Sequence, residues 1–206
     1  HSRTDRGVLR VVLHGSPPVL TICNQGAALD ANGLFKYIAQ FGESSKRAGQ
    51  GIGHKGIGFK SVLEITRCPQ IFSRHAQEGA FDLRVGFDPE RTERLIDEVS
   101  APLSWKGLVG KLEDGEAAQI ERLPILRFPH WLDSDPREVA DEGTMGSIGF
   151  NTLIRLPYDA RFDDVLKMSG RDAWIDKARE ALASITDEML ILLDAFSEVV
   201  IEDRLA

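Results

Sequence analysis

The sequence predicts an α+β fold, a mixed and mostly antiparallel sheet with helices on one face. Three observations predict it. Runs rich in β-branched residues occur in pairs around turn clusters, as hairpins do. Segments with apolar residues at helical spacing lie between and after those runs. The 206 residues are 42% hydrophobic and 28% charged, a globular balance with ample length for a core.

The elements follow in order. Val8 to Leu13 reads as a strand, Gly15-Ser16-Pro17-Pro18 as a turn, and Val19 to Cys23 as the returning strand. Asn24-Gln25-Gly26 breaks that strand. Asp30 is placed to cap a helix running through Leu34, Tyr37, Ile38 and Phe41. Gly33 inside it costs roughly 1 kcal/mol relative to alanine. The next segment is glycine-rich, with glycine at 42, 49, 51, 53, 56 and 58 and Ser44, Ser45, Lys46, Arg47, His54 and Lys55 between. A helix over Phe59–Ile65 follows, then strands at Gln70–Ser73 and Ala80–Phe87 and a helix over Pro89–Val99. Residues 100–149 read as an irregular insertion, in which His130 and Trp131 after Pro129 suit a packed loop. Phe150–Leu156 is a strand, 172–183 and 187–195 are helices, and Glu198–Glu202 is the last strand. Met189, Leu190, Leu192, Leu193 and Phe196 form an apolar helix face, and Asp159, Asp163 and Asp164 suit a helix start.

Composition excludes several classes. With 32 acidic and 25 basic residues the formal net charge is −7, so a bulk electrostatic nucleic-acid binder is not indicated. Cys23 and Cys68 make neither a metal-type spacing nor a disulfide framework, and a reducing, cytoplasmic compartment is expected. No apolar run is long enough to span a membrane, so no membrane partner is expected. The chain opens at His1 almost directly into a strand, without the basic and apolar regions of a signal peptide. It reads as one domain, 1–206, of a longer protein.

The stretch that carries chemistry is Gly51-Ile52-Gly53-His54-Lys55-Gly56-Ile57-Gly58-Phe59-Lys60-Ser61-Val62. Glycines let backbone approach a ligand closely, and free N–H groups leading into a helix start favour an anion. Lys46, Lys55 and Lys60 add charge that suits phosphates. The plain alternative is a flexible surface loop. The spacing is not that of a P-loop. Gly51, Gly53 and Gly56 match the dinucleotide fingerprint by letter, but a helix and a polar loop precede them rather than a first βαβ strand.

Gly53, Gly56 and Gly58, followed by Phe59-Lys60-Ser61, resemble the second glycine box of the GHKL ATPases. These include gyrase B, heat-shock chaperones, sensor histidine kinases and MutL. The longer string from Ile52 to Glu64, with Thr66-Arg67-Cys68-Pro69-Gln70-Ile71-Phe72-Ser73, looks most like the sacsin-type branch. Leu20 to Leu29 resembles the first glycine box, Gly42-Glu43-Ser44-Ser45-Lys46 the element between the boxes, and Asn151 to Pro157 the strand bearing the family's buried threonine. The resemblance covers most of the chain and is weak in the insertion.

It implies a Bergerat-type two-layer α/β sandwich that binds ATP with Mg2+. Asn24 holds the position of the Asp that accepts the adenine amino hydrogen bond, and an amide oxygen can still accept it, without charge. Gly26 keeps the first glycine of that box, Ala28 replaces the second, and Leu29 would line the base pocket. Ser45 and Lys46 would approach the phosphates. Gly53, Gly56 and Gly58 would wrap them, with N–H groups from Lys55, Ile57 and Phe59 among the donors. Lys60 is open to two readings, a phosphate contact or a pair with an acidic surface residue. Thr152 would contact adenine directly or through water, or is simply a strand threonine. The family's N-box helix, with its water-activating Glu and magnesium-binding Asn, matches none of His1 to Arg6. Catalytic residues and metal ligands are therefore assigned to no position here, and the N-box is expected upstream.

Three readings of function follow. An ATPase module would couple closure of a lid over residues 42–58 to conformational change in flanking domains, with a nucleotide-dependent dimer as one assembly. A nucleotide-sensing switch would bind but hardly hydrolyse, and Asn24 and Ala28 favour it. A histidine-kinase domain fits less well, because no phosphoacceptor helix precedes. A non-nucleotide interaction domain is the remaining option.

Overall fold

The computed structural model describes residues 7–26, 28–34, 38, 58–75, 81–100, 123–133, 149–185 and 196–205. Seven strands form one sheet: β1 (Gly7–Gly15), β2 (Pro18–Asn24), β3 (Gln70–Ser73), β4 (Leu83–Gly86), β5 (His130–Trp131), β6 (Thr152–Pro157) and β7 (Phe196–Arg204). Their order is β5-β4-β3-β6-β2-β1-β7. Every neighbouring pair is antiparallel except β1 and β7, which run parallel. The α+β class and the mostly antiparallel mixed sheet are as expected.

The β1–β2 hairpin closes through Ser16 and a cis Pro17. Gln25 lengthens it by one rung. Its N–H donates to the Val8 carbonyl at 3.1 Å, and its side-chain Oε1 accepts the Val8 N–H at 3.1 Å. Gly7 lies against this rung, and a Cβ there would run into the Gln25 carbonyl.

Residues directly opposite across a sheet share a face. One row therefore runs Ile201, Val11, Ile22, Ile154, Ile71, Val85, Trp131. The helices pack on this face. α4 (Arg171–Ala183) buries Trp174, Ile175 and Ala178 against Val11, Leu13, Leu20 and Leu156. The short α1 (Ala31–Leu34), α2 (Pro89–Ser100) and the 3-10 segments Gly58–Glu64 and Ile125–Arg127 gather around Ile71, Leu83, Val85 and Phe87. A 3-10 turn, Ala160–Phe162, leads from β6 into the short α3 (Asp163–Leu166). Polar side chains start the helices. Asp30 Oδ1 accepts the Gly33 N–H at 2.7 Å, and Asp88 Oδ1 accepts the Arg91 N–H at 3.0 Å. On the opposite face, Cys23, Phe72 and Leu153 pack with Phe81 and Phe150.

Some boundaries differ from expectation. The segment after the glycine box is a 3-10 helix, Gly58–Glu64, rather than an α-helix. It runs to an anchor: Thr66 Oγ1 donates to the Pro157 carbonyl at 2.7 Å and accepts the Cys68 N–H at 3.1 Å. A 3-10 helix rises about 2.0 Å per residue against about 1.5 Å, so it reaches further toward that anchor. β4 begins at Leu83, because Phe81 turns inward against Phe72 and the Asp82 carboxylate accepts the His75 N–H at 3.0 Å. His130–Trp131 is an edge strand rather than a loop, held by pairing with Gly86 and Val85. The expected helix at 187–195, the lid up to residue 57 and most of the insertion lie outside the described residues. Among the described residues no helix is long and apolar enough to cross a membrane.

The parallel β1–β7 pair is tied by charge. Glu202 accepts from Arg10 Nε at 2.6 Å and from Arg204 Nε at 2.8 Å. Burial pushes the Glu202 carboxyl up, but these two arginines more than offset it and hold it below its ordinary value. A carboxylate with a depressed folded pKa stabilises above its unfolded value, about 4.3, and loses that contribution as pH falls through the folded value. Glu202→Gln is therefore expected to lower stability by about 1–2 kcal/mol at pH 7 and to cost much less at an acid pH below the folded value. Urea denaturation at the two pH values checks this.

Candidate functional site

One row of the helix-covered face differs from its neighbours. It runs Leu9, Asn24, Thr152, Ser73, Leu83. Three polar side chains sit side by side between leucines, at the ends of β2, β6 and β3. Strand order brings them together: β6 lies between β2 and β3, so positions far apart in sequence become cross-strand neighbours.

Ser73 is fully buried and Thr152 is 9% exposed. Ser73 Oγ accepts the Leu29 N–H at 2.8 Å, lies 3.1 Å from Thr152 Oγ1 and donates to the Asn151 carbonyl at 3.2 Å. A hydroxyl has one hydrogen and two acceptor sites. With its hydrogen on Asn151, Ser73 accepts from both Leu29 and Thr152. The Thr152 oxygen then keeps its own lone pairs for another donor.

Asn24 supplies a second acceptor. Its side-chain Oδ1 is buried and has no hydrogen-bond partner among the described residues. Such an atom costs about 1–3 kcal/mol when left unsatisfied. Gly26 lies next to this side chain: a Cβ there would meet Asn24 Nδ2 at 3.5 Å, an ordinary van der Waals contact. Leu29 is half-buried and packs with Leu34, Ile71 and Leu83, so an apolar wall stands beside the polar row. Ala28 is half-buried.

The remaining expected residues are placed as follows. Gly58 opens the 3-10 segment, and Phe59 packs against the cluster that also receives Leu29. Lys60 lines a pocket with Arg127, and burial together with the Arg127 guanidinium holds its amine below the usual lysine value. Ser45, Lys46, Gly53, Lys55, Gly56 and Ile57 lie outside the described residues.

Sequence reasoning missed Ser73 and Asn151. Asn151 fixes the end of β3, because its carbonyl accepts the Arg74 N–H at 2.9 Å and its Nδ2 donates to the Arg74 carbonyl at 3.2 Å. Ser73→Ala should leave the Leu29 N–H and the Thr152 hydroxyl without their partner. The expected cost is about 1–3 kcal/mol of stability, read from chemical denaturation, whereas a solvent-exposed serine would cost almost nothing.

A second polar cluster lies at the far end of β6. Arg161 pairs with Asp159 at 2.6 Å and Glu90 at 2.8 Å and lies 3.5 Å from Asp88, joining the start of α2 to the exit of β6. The Cys68 thiol beside it is pushed up by burial and by Asp88 and Asp159. Burial pushes the Cys23 thiol up to about 12. Both thiols are free and stay protonated at neutral pH, which makes them poor nucleophiles. Among the described residues no three His, Cys, Asp or Glu side chains gather in a group that could hold a metal ion. No family model matches the chain, and no curated protein matches it.

Proposed function

We propose that the chain is an ATP-binding domain of the GHKL superfamily, of sacsin type, built as a Bergerat-type two-layer sandwich. One observation supports this reading most: the buried Asn24 Oδ1, without a hydrogen-bond partner among the described residues, beside the Thr152 hydroxyl and an apolar wall at Leu29. Two adjacent acceptors beside an apolar wall suit a flat heterocycle that carries an amino group. An adenine amino group would donate to Asn24, and Thr152 would meet the ring directly or through water. The residues present thus fit the base. The phosphates would fall to the glycine box ending at Gly58. The family's magnesium ligand is assigned to no residue here.

In this reading nucleotide binding orders the lid and drives conformational change in flanking domains, and it also permits a nucleotide-dependent dimer. A second reading is a switch that binds ATP and hardly turns it over. Asn24 in place of a carboxylate and Ala28 in place of the second glycine favour it.

Gly58→Ala tests the phosphate half. If phosphate approaches this helix start, a Cβ there displaces backbone donors, each worth about 1.5–3 kcal/mol as charge-assisted bonds. ATP affinity should fall tenfold or more, about 1.4 kcal/mol, with little change in apo stability. Unchanged affinity by isothermal calorimetry would remove the phosphate role. A loss of apo stability alone would make this a packing glycine.

A further inference from the structure

Ser73, at the end of β3, makes three hydrogen-bond contacts, and two of them fix the direction of the third. The Leu29 N–H can only donate, and Ser73 Oγ accepts it at 2.8 Å. The Asn151 carbonyl can only accept, and it takes the Ser73 hydrogen at 3.2 Å. The remaining contact is with Thr152 Oγ1, at 3.1 Å. Ser73 has no second hydrogen, so Thr152 is the donor there. Ser73 is fully buried, away from bulk water that would compete for these bonds.

The backbone around this network is held on several sides. Asn151 is tied to Arg74 through its carbonyl and its Nδ2, and its N–H donates to the Asn24 carbonyl at 3.0 Å. The residue that receives the Ser73 hydrogen therefore also fixes the end of β2. Thr152 lies opposite Asn24 on one side and opposite Ser73 on the other. An unconstrained threonine hydroxyl turns to suit its partner and serves a carbonyl oxygen as readily as an amino group. Here Ser73 holds the Thr152 hydrogen, and only the Thr152 lone pairs are left for a ligand.

We propose that Ser73 is a positioning residue that sets base selectivity. By holding the Thr152 hydrogen it keeps Thr152 an acceptor, so the site takes a purine with an amino group and rejects one with a carbonyl oxygen in its place. The inference rests on the adenine reading above and adds to it a residue that acts through Thr152. Calorimetric titration with ATP and with inosine triphosphate tests it, because inosine carries that carbonyl oxygen without the further amino group of guanine. The parent should favour ATP by about a hundredfold. Ser73→Ala frees the Thr152 hydroxyl to donate to the carbonyl oxygen. The ratio should then shrink about fivefold or more, mainly through tighter binding of inosine triphosphate. Ser73→Cys keeps the packing but accepts hydrogen bonds weakly, and should move the ratio the same way. In a Thr152→Val background there is no hydroxyl to hold, so Ser73→Ala should leave the ratio where it stands. A merely structural Ser73 would lower both affinities together. A ratio that stays put, that shrinks only because ATP binds less tightly, or that shifts equally without the Thr152 hydroxyl would each overturn the proposal. Absence of ATP binding to the parent would remove the nucleotide reading and this proposal with it, whereas ATP binding with an unchanged ratio removes this proposal alone.

Discussion

Replacing Trp174 with alanine is expected to lower the thermal midpoint by about 10–20 °C. Trp174 is fully buried on α4 and packs with Leu13, Leu20 and Leu156 where the helix meets the hairpin. Its indole N–H donates to the Ile65 carbonyl at 2.7 Å, and its ring lies 6.1 Å from that of Tyr158. Truncating a buried aromatic residue to alanine costs about 3–5 kcal/mol, and the orphaned carbonyl adds about 1–3 kcal/mol. For a chain of this size each kcal/mol shifts the midpoint by about 2–4 °C. Against a typical total of about 5–15 kcal/mol, the loss takes a large share of stability. Trp174→Phe keeps most of the packing and loses the bond, so it should cost less than half as much. Differential scanning calorimetry on both variants checks the order. A shift of only a few degrees for alanine would mean that α4 contributes little to the core.

Asn24→Leu is expected to separate stability from binding. The Asn24 Oδ1 is buried and unpaired among the described residues, so its desolvation cost is present in the ligand-free protein. Leucine has nearly the same shape and no polar atom. Apo stability should therefore stay level or rise by up to about 1–2 kcal/mol. ATP affinity should fall by about a hundredfold, since the adenine amino group would be buried against a methyl group. Asn24→Asp gives the opposite test. A charged acceptor makes a stronger bond, so affinity should rise several-fold. Paired denaturation and calorimetry on the two variants decide. If Asn24→Leu lowers stability and leaves affinity alone, the residue is structural.

The hairpin was legible because β-branched runs flank a Pro-rich turn, and local pattern sets that pairing. The last strand was legible in place, but its parallel pairing with β1 was not, since nothing local encodes which edge it joins. β5 is two residues long and carries no periodicity, and its strand character comes from pairing with β4. Asn24, Gly26, Leu29 and Thr152 could be named because their spacing follows a familiar pattern. Their neighbourhood could not. Ser73 joins Thr152 only through the β3–β6 register, and that register is a tertiary fact. Phe59–Ile65 was readable as helical by its spacing, but not as 3-10, because its far end is set by the Thr66 bond to Pro157.

The central claim is that Asn24 and Thr152 present two acceptors to an adenine edge. Calorimetric titration of the chain with ATP and with GTP, each with magnesium, tests it most directly. Guanine carries a carbonyl oxygen where adenine carries its amino group, so acceptor would face acceptor. ATP should bind and GTP should bind at least about a hundredfold more weakly, because the buried acceptors stay unpaired. Equal affinity for the two nucleotides, or no ATP binding at millimolar concentration, would contradict the account.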